Sequence, residues 1–199
     1  VDLNTFLFHL ERTLAKAHAL GGKHKKSLAY KQAADLRQRA IDQYCYDKAT
    51  GFYMDYLYKQ QRTSDVLSLA GMYPLFFRLT SKDRAARVQQ ALGQFMLFRG
   101  GWVTTLRLTQ QQWDTPNGWA PSQSITVMGL RNYGYNALAQ VSAENWLKTN
   151  DRVFENTGKM MEKYNVVSHG LKNGGGEYPT QDGFGWTNGV YLKLMQEIE

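Results

Sequence analysis

Apolar residues recur at helical spacing along most of the 199-residue chain, and no segment is long enough for a strand of a substantial sheet. Phe6, Leu10 and Leu14, for example, return every four positions, as on one face of an α-helix. We therefore predict an all-α fold of helical hairpins placed side by side, with Ser64 and Ser81 as helix N-caps. The predicted segments are a helical hairpin over 1–46, a short strand or extended loop over 47–60, and helices within 64–98, 122–133, 136–164 and 187–199.

Two long segments depart from this periodicity, residues 100–121 and residues 165–186. Their Gly, Pro and Asn content excludes a regular helix, and both are longer than the usual connection in a helical bundle. Long connections of this kind in compact domains are usually functional. We therefore expect the functional site in these two segments and predict that both lie at the same end of the bundle.

The composition argues against several classes of partner. The net charge of +7 is compatible with nucleic-acid binding, but the basic residues are spread out and no recognisable nucleic-acid motif accompanies them. Cys45 is the only cysteine, so no intrachain disulfide is possible, and we expect a small buried hydrophobe there. The four His residues lack metal-site spacing, and no apolar run reaches the roughly 18 residues of a membrane helix. We expect no nucleic-acid, metal or membrane partner.

The first irregular segment contains the run Gln-Trp-Asp-Thr-Pro-Asn-Gly-Trp-Ala-Pro. Trp113 and Trp119 are costly to place on such a loop unless they are buried or face a ligand. The side chains of Gln112, Asp114 and Asn117 donate and accept hydrogen bonds of the kind that hold sugar hydroxyls. The residues alone leave two interpretations open. One is a rigid loop packed under the helices, with Asp114 capping a turn; the other is a sugar-binding surface.

The second irregular segment contains three successive glycines, Gly174, Gly175 and Gly176, followed directly by Glu177. Glycines at this density let the backbone approach a ligand closely or let the segment move as a flap. No Lys follows at the spacing of a phosphate-binding loop, so a nucleotide site is not indicated. A plain linker would not carry so many aromatic residues, which favours a functional segment. These interleaved aromatic residues are Tyr178, Phe184 and Trp186.

Glu162 and Lys163 stand at the end of the helix predicted over 136–164. A Glu beside a Lys at a helix end is usually a solvent-exposed pair, and adjacent helical residues do not face each other. Taken alone, Glu162 is therefore expected to be a surface residue. No serine-nucleophile motif is present, and Cys45 has no neighbouring His to activate it, so a covalent nucleophile is not indicated.

Three runs of sequence resemble signatures of the trehalases, glycoside hydrolase family 37. The first is Gln-Trp-Asp-x-Pro-x-Gly-Trp-x-Pro, beginning at Gln112, and the second is the short Glu-Lys-Tyr element at Glu162. The third is Gly-Gly-Gly-Glu-Tyr-Pro, followed by Gln-Asp-Gly-Phe-Gly-Trp-Thr-Asn-Gly-Val, within residues 173–190. The Val-Asp-Leu-Asn start is similar to a segment in the middle of trehalase chains. Because the first residue is not Met and no signal peptide is recognisable, we expect the natural chain to begin earlier.

The resemblance implies that residues 1–199 are the carboxyl-terminal part of an (α/α)6-barrel catalytic domain. It implies hydrolysis of α,α-trehalose to two glucoses with inversion, without a cofactor or a metal. Glu162 maps to the general base, Glu177 to the sugar-binding wall, and Gly174, Gly175 and Gly176 to a lid. The other residues implied in substrate binding are Gln112, Trp113, Asp114, Asn117, Trp119, Tyr178, Phe184 and Trp186.

The sequence also departs from the trehalase pattern. The catalytic acid of the family is an Asp in a Gly-Trp-Asp-x-Ser-x-Arg-Trp motif, which is absent here together with the expected sugar-binding arginines. The amino-terminal half of the same enzyme is therefore the expected partner, and this chain alone is expected to be inactive. Where the family tends to show Leu-Gln-Trp, this chain has Ser122, Gln123 and Ser124, and its glycine run is one residue shorter than in many members.

Two alternatives to a trehalase remain open at this point. One is a non-catalytic helical protein, derived from a trehalase, that binds carbohydrate or another partner. The other is an α/α-barrel glycosidase that acts on a different sugar. The compartment stays open between periplasm and cytoplasm, although the resemblance favours the periplasm.

Overall fold

The structure is a computed structural model that describes residues 1–168 and 177–198. Within these residues the chain is predominantly helical, as predicted. A π-helical turn, Ile41–Cys45, follows the second helix, and a 3-10 turn, Leu69–Met72, precedes the third. The α-helices are α1 (Asp2–Leu20), α2 (His24–Ala40), α3 (Tyr73–Phe76), α4 (Lys82–Phe95), α5 (Ala120–Asn132), α6 (Asn136–Thr157) and α7 (Gly185–Ile198).

Helices α1 and α2 form the helical hairpin predicted for the start of the chain. The turn between them needs a left-handed residue, and Gly22 provides it with a φ of +70° that glycine adopts without strain. Arg37 on α2 reaches back to Glu11 on α1, with Nη2 2.7 Å from Oε1 and Nε 3.0 Å from Oε2. This two-pronged ion pair fixes the relative position of the two helices.

Helix α5 lies at the centre of the remaining helices, because it packs against α3, α6 and α7. Small and apolar residues make this possible: Val127 and Leu130 are buried, and a Cβ on Gly129 would lie 3.2 Å from the backbone nitrogen of Phe76 on α3. Helix α6 buries Trp146 in the same core. The carboxyl-terminal helices therefore form one continuous apolar core rather than separate hairpins.

The described strands form four two-stranded antiparallel ladders. Three of them join neighbouring segments, but the fourth joins β7 to β8, which are far apart in the sequence. The absence of a substantial sheet was predicted; this long-range pairing was not. The strands are β1 (Tyr46–Asp47), β2 (Phe52–Tyr53), β3 (Tyr56–Leu57), β4 (Arg62–Thr63), β5 (Leu97–Phe98), β6 (Gly101–Trp102), β7 (Asn117–Trp119) and β8 (Lys163–Asn165).

The helix predicted over 136–164 is wrong in its last turns. Helix α6 ends at Thr157, because Gly158 takes the left-handed conformation with a φ of +67° and its amide donates to the carbonyl of Phe154. The chain then turns into the extended strand β8. Glu162 therefore stands at a bend just before a strand and not at a helix end.

The two predicted N-caps have different outcomes. The hydroxyl oxygen of Ser81 accepts a hydrogen bond of 3.3 Å from the amide of Arg84 at the start of α4, which confirms this cap. The Ser64 cap is wrong, because no helix begins there; its hydroxyl oxygen instead accepts from the amide of Val66. Ser64 belongs to the irregular connection between β4 and the 3-10 turn.

Cys45 is buried, as predicted, and burial raises the pKa of its thiol. Among the described residues, none of the helices is long and apolar enough to cross a membrane. No group of His, Cys, Asp and Glu side chains within 1–168 and 177–198 is arranged to hold a metal ion.

Candidate active site

The β7–β8 ladder joins the first irregular segment to the residues that follow Glu162. Asn117 faces Asn165, Gly118 faces Tyr164, and Trp119 faces Lys163 across the two strands. A Cβ on Gly118 would lie 2.5 Å from Cγ1 of Val166, so only glycine lets the strands approach this closely. The ladder brings the first irregular segment against the Glu-Lys-Tyr element.

Hydrogen bonds within the first segment hold its loop in one shape. The carbonyl of Gln112 accepts from Nε1 of Trp119 and from Nδ2 of Asn117, both at 3.0 Å. The carboxylate of Asp114 accepts from the amide and the hydroxyl of Thr109, at 2.5 and 2.7 Å. Asp114 thus closes a turn, as the rigid-loop interpretation of the sequence expects.

Three tryptophans form one wall of the site. The ring of Trp113 stacks on that of Trp119, with centroids 4.0 Å apart and an interplanar angle of 6°. Trp186 from α7 meets Trp119 edge-on at 5.7 Å, and Phe184 lies 5.1 Å from Trp186. Trp119 is 1% exposed and Trp113 is 47% exposed, so the stack presents one indole to solvent on a buried support.

Glu162 is the buried carboxylate beside this wall, with only 4% of its surface exposed. Its Oε1 accepts a hydrogen bond of 2.9 Å from the hydroxyl of Tyr178, and its Oε2 lies 3.4 Å from Nζ of Lys163. The hydrogen bond to this carboxylate is the main cause that raises the pKa of Tyr178. The expectation that Glu162 is a surface residue is wrong, because it had been placed at a helix end.

Hydrogen bonds from the second irregular segment and from the start of α7 hold the backbone around Glu162. The amide of Glu162 donates to the carbonyl of Gln181 at 2.8 Å, and its carbonyl accepts from Nε1 of Trp186 at 3.2 Å. The hydroxyl of Thr187 donates to the carbonyl of Met161 at 2.7 Å. The amide and the carbonyl of Glu162 are therefore both held by hydrogen bonds, which fixes the point from which its side chain extends.

Lys163 is fully buried, at 0% exposure, although lysine is rarely buried without a partner. Its Nζ lies 4.2 Å from the ring centroid of Tyr178 and 5.5 Å from that of Trp119. Both distances are within the range of cation–π attraction. The ammonium thus stands between one carboxylate oxygen and two aromatic rings.

Several polar atoms next to the tryptophan stack are buried and have no hydrogen-bond partner among the described residues. They are Oε1 and Nε2 of Gln112 and Oδ1 of Asp114. Leaving such atoms unpaired costs roughly 1–3 kcal/mol each. Donors and acceptors held in this way beside an aromatic surface suit a ligand that has an apolar face and many hydroxyls.

The trehalase family model matches residues 1–199. The chain belongs to the trehalase family. It is 43% identical over 198 residues to the periplasmic trehalase of Salmonella dublin, an alignment that covers 100% of this chain and 35% of that protein. The periplasmic trehalase of Salmonella enteritidis gives the same identity and coverage. The chain therefore spans about a third of the length of these curated relatives.

The fold of the chain is similar to that of solved structures. The neutral trehalase of Saccharomyces cerevisiae superposes with a TM-score of 0.85 at 26% identity, covering 100% of this chain and 38% of that one. The family 63 mannosylglycerate hydrolase of Thermus thermophilus gives a TM-score of 0.70 at 20% identity, covering 98% and 45% of the two chains. The second likeness concerns the fold alone. The predicted all-α fold of a helical-barrel enzyme is confirmed.

Most of the residues that the trehalase resemblance singled out converge in the structure. Glu162 contacts Tyr178 and Trp186, and the stack links them to the first segment. Glu177 is exposed beside Tyr178, and no described contact joins it to the Glu162 carboxylate. The predicted lid, Gly174, Gly175 and Gly176, lies outside the described residues. The predicted residues that lie along the wall or its supporting loop are Gln112, Trp113, Asp114, Asn117, Trp119, Phe184 and Trp186.

Two residues of this trehalase-family site were not predicted from the sequence. Thr187 belongs to the third trehalase-like run and to the last predicted helix but was given no role in the site; its hydroxyl donates to the carbonyl of Met161, beside Glu162. Lys163 was set aside because neighbouring helical residues diverge, yet the bend at Glu162 brings the two side chains together. For Lys163 the missing signal was the long-range strand pairing, which no local pattern shows.

Proposed function

We propose that residues 1–199 are the carboxyl-terminal part of an (α/α)6 catalytic domain that hydrolyses α,α-trehalose to two glucoses. Membership of the trehalase family supports the reaction, although the curated relatives are about three times longer. The single observation that carries the proposal is the position of Glu162. It is a buried carboxylate whose backbone is held by hydrogen bonds, and the aromatic wall beside it carries buried polar atoms that have no partner within 1–168 and 177–198.

Glu162 serves in this proposal as the general base of an inverting mechanism. Inversion needs one carboxylate to take a proton from water and a carboxylic acid across the sugar ring to protonate the leaving oxygen, with the two groups roughly 6.5–9.5 Å apart. Residues 1–199 lack the family motif that carries the acid. The acid is therefore assigned to the amino-terminal half of the enzyme, which is the partner of this chain in the complete barrel.

The aromatic wall is assigned to sugar binding. The half-exposed ring of Trp113 suits the apolar face of a pyranose, while Gln112 and Asp114 offer buried donors and acceptors to its hydroxyls. Asn117 and Trp119 shape this wall by bonding to the loop carbonyl. The other members of the proposed sugar site are Glu177, Tyr178, Phe184 and Trp186, with Gly174, Gly175 and Gly176 as its lid.

The test is to produce residues 1–199 together with the amino-terminal half and to follow trehalose by proton NMR. Inverting hydrolysis releases one α-glucose and one β-glucose at first, before mutarotation mixes the anomers. Two α-glucose molecules in the first minutes would contradict inversion. Trehalose binding without glucose release, in the complete protein, would contradict hydrolysis and support the non-catalytic carbohydrate-binding protein instead.

A further inference from the structure

The side chain of Lys163 has an arrangement that its place in the sequence does not explain. Strand β8 puts Lys163 opposite Trp119, and the bend before the strand brings its Nζ to 3.4 Å from Oε2 of Glu162. The ring of Tyr178 lies 4.2 Å from the same Nζ. The ammonium therefore contacts a residue from each of the three sequence runs that resemble trehalases.

Burial makes this arrangement costly unless both charges are present. Removing an ammonium and a carboxylate from water costs several kcal/mol per ion, and their mutual attraction offsets this only while both stay charged. The rings of Trp119 and Tyr178 add attraction for the cation but none for a neutral amine. The ammonium of Lys163 is thus held by the Glu162 carboxylate on one side and by two aromatic rings on the other.

We infer that Lys163 is the positioning residue of the general base: it occupies Oε2 of Glu162, so that Oε1 receives the proton from water. This inference rests on the proposed function of Glu162. A carboxylate oxygen accepts more than one hydrogen bond, so Oε1 can bind water beside the hydroxyl of Tyr178. Tyr178 is 37% exposed, whereas Lys163 is fully buried, so Oε1 is the oxygen on the accessible side.

Few other charged groups surround Glu162 in the described part of the chain. Strand β7 contributes Trp119, and the start of α7 contributes Trp186 and Thr187, none of which titrates. The segment before α7 contributes Tyr178, and farther along Asp182, which is paired with Lys159. Glu177 adds a negative charge near Tyr178. Lys163 is therefore the positive group in contact with the base.

The experiment measures kcat and KM for trehalose in the complete enzyme with Lys163→Met. Methionine fills similar volume without the ammonium, so Oε2 loses its partner and the carboxylate is no longer held in one orientation. The value of kcat should fall about tenfold or more, with little change in KM. Lys163→Arg keeps a cation that can contact Oε2 and should recover part of the lost kcat. Lys148→Met is the matched control, because Lys148 pairs with Glu144 at 3.6 Å on the surface.

A double-mutant cycle, measured by thermal unfolding, distinguishes the loss of the Lys163–Glu162 contact from a general loss of folding. Lys163→Met should lower the melting temperature of the wild type more than that of Glu162→Gln, since the second protein has already lost the carboxylate charge. Equal losses in both proteins would contradict the pairing. An unchanged kcat in Lys163→Met, with Glu162→Gln inactive, would overturn this inference and leave the proposed function intact. Near-normal turnover in Glu162→Gln would overturn both.

Discussion

The hydroxyl of Tyr178 donates a hydrogen bond of 2.9 Å to Oε1 of Glu162, so the segment that follows the glycine run contacts the proposed base directly. The sequence assigned Tyr178 to sugar binding, whereas this contact indicates that it orients the carboxylate. We therefore expect Tyr178→Phe to lower kcat about tenfold, the value of one hydrogen bond to a charged group, with a smaller change in KM. Steady-state kinetics with trehalose checks this. A raised KM with unchanged kcat would instead favour a role in substrate binding alone.

Tyr58→Phe is the matched control for this substitution. Tyr58 is an exposed tyrosine on the β3–β4 hairpin, away from the contacts of Glu162. The same loss of a phenolic hydroxyl should leave both kcat and KM unchanged there.

Glu162→Gln should lower kcat of the complete enzyme by several orders of magnitude, because water loses its proton acceptor while the shape of the site is retained. KM should change only modestly. Glu155→Gln, at an exposed position of α6, is the control and should have normal kinetics. Glu177→Gln should lower activity mainly through binding and orientation. Near-normal turnover in Glu162→Gln would show that the base lies elsewhere.

Local signals in the sequence predicted the helices well, because amphipathic spacing and caps such as Ser81 are encoded within a few neighbouring residues. They failed where distant segments meet. Helix α6 stops at Gly158, and the residues after it form strand β8 by pairing with Asn117–Trp119, which lies far earlier in the sequence. The apolar spacing of the sequence predicted instead that the helix continues through Tyr164. Strand formation between distant segments depends on tertiary context more than on local propensity.

The same dependence on contacts between distant segments explains which residues of the site could be predicted from the sequence. Trp113, Trp119 and Trp186 stood out because large aromatic residues are unusual in glycine-rich and proline-rich segments. Glu162 and Lys163 form an ordinary pair by sequence, and only the family resemblance pointed to the glutamate. Their burial depends on a bend that no local pattern predicts. Residue types alone therefore indicated the aromatic wall. The Glu162–Lys163 pair could be identified only from a related sequence or from the structure.

Trp113→Ala should raise KM for trehalose about tenfold or more, with a smaller effect on kcat. Its ring is half-exposed on Trp119, so removing it takes away apolar surface for a sugar without opening the core. Trp113→Phe, which keeps an aromatic face, should recover part of the loss. Thermal unfolding separates binding from folding: Trp119→Ala removes a buried ring and should lower the melting temperature far more than Trp113→Ala.

Burial raises the pKa of Tyr164 to about 12. A tyrosine whose pKa is higher in the folded state contributes stability that is fully present below the unfolded value of about 10. That contribution is lost as the pH rises from about 10 through about 12. The melting temperature should therefore fall over this range, and Tyr164→Phe should make the fall less steep. An equally steep fall in Tyr164→Phe would show that other groups dominate.

Residues 1–199 alone should release no measurable glucose from trehalose, because inverting hydrolysis needs an acid as well as a base. The isolated chain should also be poorly stable, since α1 leaves large parts of the apolar side chains of Leu3 and Leu10 exposed. A glucose assay on the purified chain, with and without the amino-terminal half, decides the matter. Activity that appears only after the second half is added would support the proposed division.

Robust activity of the isolated chain would require one of its own carboxyl groups to act as the acid. Asp182 is poorly suited, because Lys159 lowers its pKa, whereas a general acid needs a raised one. Asp114 already accepts hydrogen bonds from the amide and the hydroxyl of Thr109, so one of its carboxylate oxygens is engaged within its own loop. Among the carboxyl groups of the two irregular segments, Glu177 would then be the remaining candidate, and Glu177→Gln in the isolated chain would abolish that activity. Such a result would reverse the assignment of Glu177 to sugar binding.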